Sequence, residues 1–170
     1  MTTQGPTGEH ADLLQSLGRQ RHFLRFTVRD LTDEQAAQRT TASQLCLGGL
    51  IKHVAAVERR WMRFIEAGPS AMAGNRADPG EWTALFSMQP GETLAGLLDS
   101  YATVAEETTG FVTGLADLSA SQPLPEAPWF ERGARWSARR VLLHVIAETA
   151  QHAGHADIIR ESLDGARSMG

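Results

Sequence analysis

Most of the features that would sort this sequence quickly into a functional class are missing from it. Cys46 is the only cysteine in 170 residues, which excludes an internal disulfide and any multi-cysteine zinc site. No stretch approaches the roughly 18 consecutive apolar residues of a membrane helix. The N-terminus has neither the basic nor the apolar region of a signal peptide. A soluble cytoplasmic protein with no membrane partner is therefore expected. The His-Glu-x-x-His, Gly-x-Ser-x-Gly and glycine-rich phosphate-loop patterns are absent, as are internal repeats, low-complexity tracts and any convincing strand alternation. A formal charge of −4 offers no general attraction to nucleic acid.

What is present is a globular composition, 42% apolar and 21% charged, in a length that suits one domain. Residues 1–8 are small and polar and are expected to form a disordered tail, with 9–170 making a single domain. Apolar residues at steps of three and four predict helices over Glu9–Asp30, Leu47–Ala67, 92–115 and Ser137–Gly165. Gly68-Pro69 stops the second of these. Thr32 to Gln35 has the form of a capping box, so a short helical turn begins there. Two loops of about 20 residues, Ser70–Met88 and Ala116–Trp136, carry aromatics instead of linker residues, among them Trp82, Phe86, Trp129 and Phe130. The fold class is all-α, a four-helix bundle with two long ordered loops.

The last helix holds the anomaly. Val141, Val145, Glu148, His152, His155, Ile159 and Ser162 share one face, so a carboxylate and two imidazoles lie along an otherwise apolar seam. An inward Glu is costly unless something pairs with it or it holds a metal. Glu148 and His152 are four residues apart and can bend toward one cation. His144 and His155, a turn to either side, are reserves. A donor from another helix is needed to close such a site, and His53 lies on the border of the stripe Leu47, Leu50, Ile51, Val54, Val57, Trp61, Phe64. Taken alone, His53 is also readable as a satisfied core histidine. Three protein donors would leave a coordination position open, which for zinc separates catalytic from closed structural sites.

Other candidates are weaker. Arg132, Arg135, Arg139 and Arg140 form a basic entry to the last helix, either solvated or facing an anionic ligand. Cys46 reads as a buried thiol near a helix N-terminus. Gly48-Gly49, at a helix start, reads as a close contact between helices rather than an anion cradle. His10 and His22 read as solvated or packing residues. Three functional readings stay open: an enzyme whose metal keeps an open position for water or a thiolate, a non-enzymatic divalent-metal-binding bundle, and an inert bundle with a hydrogen-bonded polar seam.

Several segments carry a family resemblance: SLGRQRHFLRFTVRDLTDEQA, LGGLIKHVAAVERRW, MQPGETLAGLL, PEAPWF and SARRVLLHVIAETAQHAGHADIIRESLDG. On these the chain resembles the DinB-like superfamily, in particular its actinobacterial group of mycothiol S-transferases and mycothiol-dependent maleylpyruvate isomerases. The resemblance implies a DinB-like four-helix bundle with a divalent metal, zinc first and nickel or another ion as alternatives, held by a second-helix His and two last-helix donors. These fall on His53, Glu148 and His152. In many members both last-helix donors are His, whereas the isomerase-like branch has Glu first, as here. Where many members read His-Arg-Gly-Gln, this chain has His152-Ala153-Gly154-His155, so His155, like His144, either supports the ligands or faces the substrate. The implied partners are mycothiol or a similar thiol and a small electrophile, in a monomer or homodimer, with Trp82, Phe86, Trp129 and Phe130 lining the substrate pocket.

Overall fold

The computed structural model describes residues 7–72 and 84–168. Five α-helices form among them: α1 (Gly8–Phe26), α2 (Asp33–Ala37), α3 (Leu47–Ala67), α4 (Leu94–Thr113) and α5 (Ala138–Asp164). The four long ones make an all-α bundle, with α1 and α3 each packed against both α4 and α5. A single turn of 3-10 helix, Gly68–Met72, follows α3.

The helix ends follow from local chemistry. Thr32 and Gln35 form the expected capping box, each side chain bonding the other's backbone N–H. Ser137 accepts from Arg140 N–H to start α5, and Gly165, with φ 79°, ends it in the left-handed conformation that glycine adopts without strain. Thr93 caps α4 in the same way as Ser137 caps α5. α1 stops four residues short of the expected Asp30 because a side chain competes for its carbonyls. Arg160 on α5 donates one guanidinium NH2 group to both Thr27 O and Arg29 O at 2.8 Å, and Asp30 turns the chain away at φ 59°.

Contacts between helices give their directions. His53 meets His152 while Trp61 meets His144, so α3 and α5 run antiparallel. Lys52 pairs with Glu92 and Arg59 with Glu107, so α3 and α4 run parallel. Arg139 pairs with Glu9 near the start of both α5 and α1, and Arg160 reaches Thr27 near the ends of both, so those two are parallel as well. A parallel pair requires the connection between α3 and α4 to return along a helix of about 30 Å, at least nine or ten extended residues. This is the physical reason for the first long connection.

The core falls into two apolar clusters. One gathers Leu24, Leu50, Ile51, Val54, Tyr101, Val104 and Ile159; the other gathers Leu13, Leu17, Trp61, Phe64, Val112, Val141 and Val145. Two of the expected details differ. Ser121–Pro123 and Arg135–Ser137 pair as a small antiparallel ladder, too short for alternation to show in the sequence. Ser162 is exposed and bonds Ile158 O on its own helix; at 3.6 residues per turn the buried face has moved round to Ile159 and Arg160 by that point. Among the described residues no helix is long and apolar enough to cross a membrane.

Candidate metal centre

His53, Glu148 and His152 come together between α3 and α5, each offering one ligand atom, all within 4.8 Å of one another. His53 Nε2 lies 3.6 Å and His152 Nε2 3.5 Å from the same carboxylate oxygen, Glu148 Oε1. Both separations exceed an ordinary N–H···O bond of about 2.7–3.2 Å. They match more closely the roughly 3.3 Å between ligand atoms placed tetrahedrally about 2.05 Å from one ion. Two imidazoles and one carboxylate are a donor set that suits zinc and other divalent first-row ions. The residues therefore fit a divalent metal, with a modest inward movement of the two His rings.

The site is graded in burial. The His53 side chain is 2% exposed, that of His152 11% and that of Glu148 26%, so solvent reaches the cluster along the carboxylate. Burial depresses the pKa of His53 below its ordinary 6.5, against the opposing pull of Glu148. Contacts with His152 first and His53 second hold the Glu148 carboxyl well below the usual carboxylate range, although partial burial opposes them. A neutral imidazole beside an ionised carboxylate is the protonation state in which both can ligate a cation.

Surrounding groups hold these rings. Phe86 stacks on His53 with ring centroids 4.0 Å apart and planes at 24°, and lies 6.2 Å from His152. Gly48 and Gly49 make this possible, because a Cβ on Gly49 would overlap the Phe86 carbonyl and one on Gly48 the Met88 side chain. The close approach is thus to the non-helical segment 86–88 and not to another helix as expected from the sequence. Cys46, buried at the N-cap of α3, accepts from Gly49 N–H and donates to Phe86 O at 3.7 Å. His155 Nδ1 lies 3.4 Å from His152 Nδ1.

His144 sits a turn before Glu148, edge-on to Trp61 at 4.9 Å and to Trp136 at 5.2 Å; burial lowers its pKa as well. Trp61 and Trp136 stack at 4.9 Å, and Phe130 packs edge-to-face on Trp136 at 5.8 Å. Phe130 therefore belongs to an aromatic wall that reaches the site through His144. Trp129 is 69% exposed and packs on Phe130 at 6.2 Å. Trp82 lies outside the described residues. Of the four basic residues at the entry to α5, Arg139 pairs with Glu9, Arg135 with Ser121, and Arg140 covers the Trp136 ring at 5.0 Å.

Trp61 and Trp136 were not among the residues expected at the site. One signal for the first is present: His53, Val57 and Trp61 step by four along α3 as His144, Glu148 and His152 do along α5. Two antiparallel helices with matched steps bring Trp61 to His144 once His53 is at His152. Trp136 lies before α5, and its place depends on the ladder that no periodicity announces.

No curated protein matches the sequence. The family model described as Mycothiol-S-transferase matches residues 12–165. That span includes nearly all of the four long helices and all three donors, and the chain belongs to the mycothiol S-transferase family.

Proposed function

We propose that this protein is a metal-dependent thiol transferase that conjugates mycothiol, or a related low-molecular-weight thiol, to a small electrophile. The observation that carries the reading is the meeting of two imidazoles and one carboxylate from antiparallel helices, inside a chain of this family. His53, Glu148 and His152 would hold one divalent ion, zinc first among those that two imidazoles and one carboxylate suit. When bound, such an ion supplies Lewis acidity that makes a small thiol ionised near neutral pH, where a free thiol with a pKa of about 8.5 is mostly protonated.

The chain's own residues do the rest. The Glu148 carboxylate contributes one negative charge, so a divalent centre keeps a net positive charge to attract a thiolate. Phe86 covers one face of His53 and keeps water from that side. Trp61, Trp136 and Phe130 present an apolar wall beside His144, suited to an aromatic or alkyl electrophile. In the transfer a sulfur–carbon bond forms, the carbon–halogen bond of a haloaromatic breaks with the electron pair leaving as halide, and the thiol proton passes to solvent.

Glu at position 148 also admits the isomerase alternative, since the resemblance puts Glu first in the isomerase-like branch. The two differ in stoichiometry, because a transferase consumes one thiol per product whereas an isomerase returns it. Metal-loaded protein is to be assayed against haloaromatic and bimane electrophiles with mycothiol, bacillithiol, glutathione and cysteine, with thiol and conjugate both quantified. The expected result is mycothiol-dependent turnover with equimolar thiol consumption. If none of these thiols gives turnover faster than in metal-free protein, the transferase reading is replaced by that of a non-enzymatic metal-binding bundle.

A further inference from the structure

We propose that His155 is a positioning residue that accepts the Nδ1–H of His152 when the ion is bound, holding the ring with its Nε2 lone pair toward the ligand cluster. The proposal rests on the metal reading above. His155 follows His152 by one helical step of three, and the two rings lie 5.3 Å apart at 60°, with Nδ1 facing Nδ1 at 3.4 Å. Two facing imidazole nitrogens are compatible only when one carries a proton and the other a lone pair.

The far side of His152 decides which. Its Nε2 faces Glu148 Oε1 and is the nitrogen turned toward His53 and the carboxylate. A metal-bound Nε2 has no proton, so in the neutral ring the proton sits on Nδ1 and must be donated. His155 Nδ1 is then the acceptor, and the His155 proton resides on Nε2, on the far side of its ring. Without a metal the opposite arrangement is satisfied as well: His152 Nε2–H faces the Glu148 carboxylate while Nδ1 accepts from His155. The pair thus accommodates both states by exchanging donor and acceptor, and His155 is half-buried, which limits competition from water at that contact. Histidine ligands ordinarily give their second N–H to a carbonyl or carboxylate; here the recipient is another imidazole.

The test uses Zn2+ as the probe. Affinity is measured by chelator competition for the wild type, His155→Gln, His155→Leu and His152→Ala, with helix content followed by circular dichroism. Replacing such a supporting partner typically weakens metal binding about 10–100-fold. That loss is expected for His155→Leu, with most of the affinity restored in His155→Gln, whose carbonyl oxygen accepts the same N–H. In the zinc-loaded wild type, 15N spectra should show a protonated Nδ1 on His152 and an unprotonated Nδ1 on His155. A wild-type affinity in His155→Leu, or a protonated His155 Nδ1 in the loaded protein, overturns the proposal. If His152→Ala also binds as the wild type does, the metal reading fails and this inference falls with it; if only His152→Ala loses the ion, the ligand set stands and the role of His155 alone is wrong.

Discussion

Side chains at the centre are tuned by their surroundings in a direction that pH can test. His53 has a folded-state pKa below its ordinary 6.5 because it is buried, and His144 shares that direction and cause. Glu148 lies below its ordinary 4.5 because His152 and His53 contact it. For all three the unfolded chain takes up protons first as pH falls, so acid favours unfolding. In metal-free protein, stability should be full above about pH 7 and decline from about 6.5 downward as the unfolded histidines become charged. A second loss begins near 4.5, through Glu148. Each group adds at most about 1.4 kcal/mol per pH unit while it titrates. Urea midpoints recorded from pH 8 to pH 4 check this, and a midpoint that stays flat or rises between 6.5 and 5 would contradict it. Metal favours the neutral, ligating imidazoles, so the loaded protein should keep its midpoint to lower pH than the metal-free one.

At the residue scale the meeting of His53, Glu148 and His152 was legible in the sequence because its signal is local. A carboxylate and an imidazole four apart on an apolar seam can be read from spacing, as can a histidine at the border of another stripe. Arg21 and Glu58 could not be read. Each looks like a surface charge in its own helix, yet Glu58 is fully buried and Arg21 nearly so, and Arg21 Nε and Nη2, on one guanidinium edge, donate to the two oxygens of the Glu58 carboxylate. Their pairing depends on how α1 and α3 are rotated against each other, which neither segment specifies alone.

Among the elements, α3 shows most clearly how backbone and site are linked. Its first turn contains two glycines, a poor choice by propensity, since Ala in a helix interior is favoured over Gly by about 0.8–1 kcal/mol. The gain from removing them is prevented by contact, because the segment at Phe86 and Met88 lies where their Cβ atoms would be. Gly49→Ala should therefore destabilise the protein by about 1–3 kcal/mol, the usual cost of overpacking, despite its better propensity. Displacing Phe86 from the His53 ring should also weaken metal binding. Denaturation together with metal titration checks both, and a Gly49→Ala protein more stable than the wild type with equal affinity would show that the 86–88 segment does not hold His53. In α5 the expected bounds Ser137 and Gly165 coincide with the caps, and Val141, Val145, His152 and Ile159 of the expected face are buried, whereas Thr149 and Ala156, outside that face, are buried too. The ladder of 121–123 with 135–137 was not legible in the sequence, because three-residue strands carry too few positions for a period of two to stand out.

Across the whole molecule, the two apolar clusters are separated by a polar layer that includes a residue from every long helix. Arg21 comes from α1, Glu58 from α3, Thr108 from α4 and Thr149 from α5, each lying along its helix between members of the two clusters and all of them buried. Burial, with the nearby Glu58 carboxylate, pushes the Tyr101 phenol well above its ordinary 10 and keeps it protonated. A buried ion pair stabilises little against an apolar replacement, but removing one partner costs about 3–5 kcal/mol, so such a layer specifies how the helices register. The candidate metal centre lies beside this layer, with Thr149 next to Glu148 in the chain. A bundle with two apolar clusters of its own has no need of the ion in order to fold, and this separates ligand loss from unfolding.

The central claim is that one divalent ion is held by His53, Glu148 and His152. Metal content per chain, measured on untagged wild-type and His152→Ala proteins after equilibration with zinc and gel filtration, tests it most directly, with circular dichroism on the same samples. The account predicts one ion per chain in the wild type, close to none in His152→Ala, and the same helix content in both; full occupancy in the folded His152→Ala protein would contradict it.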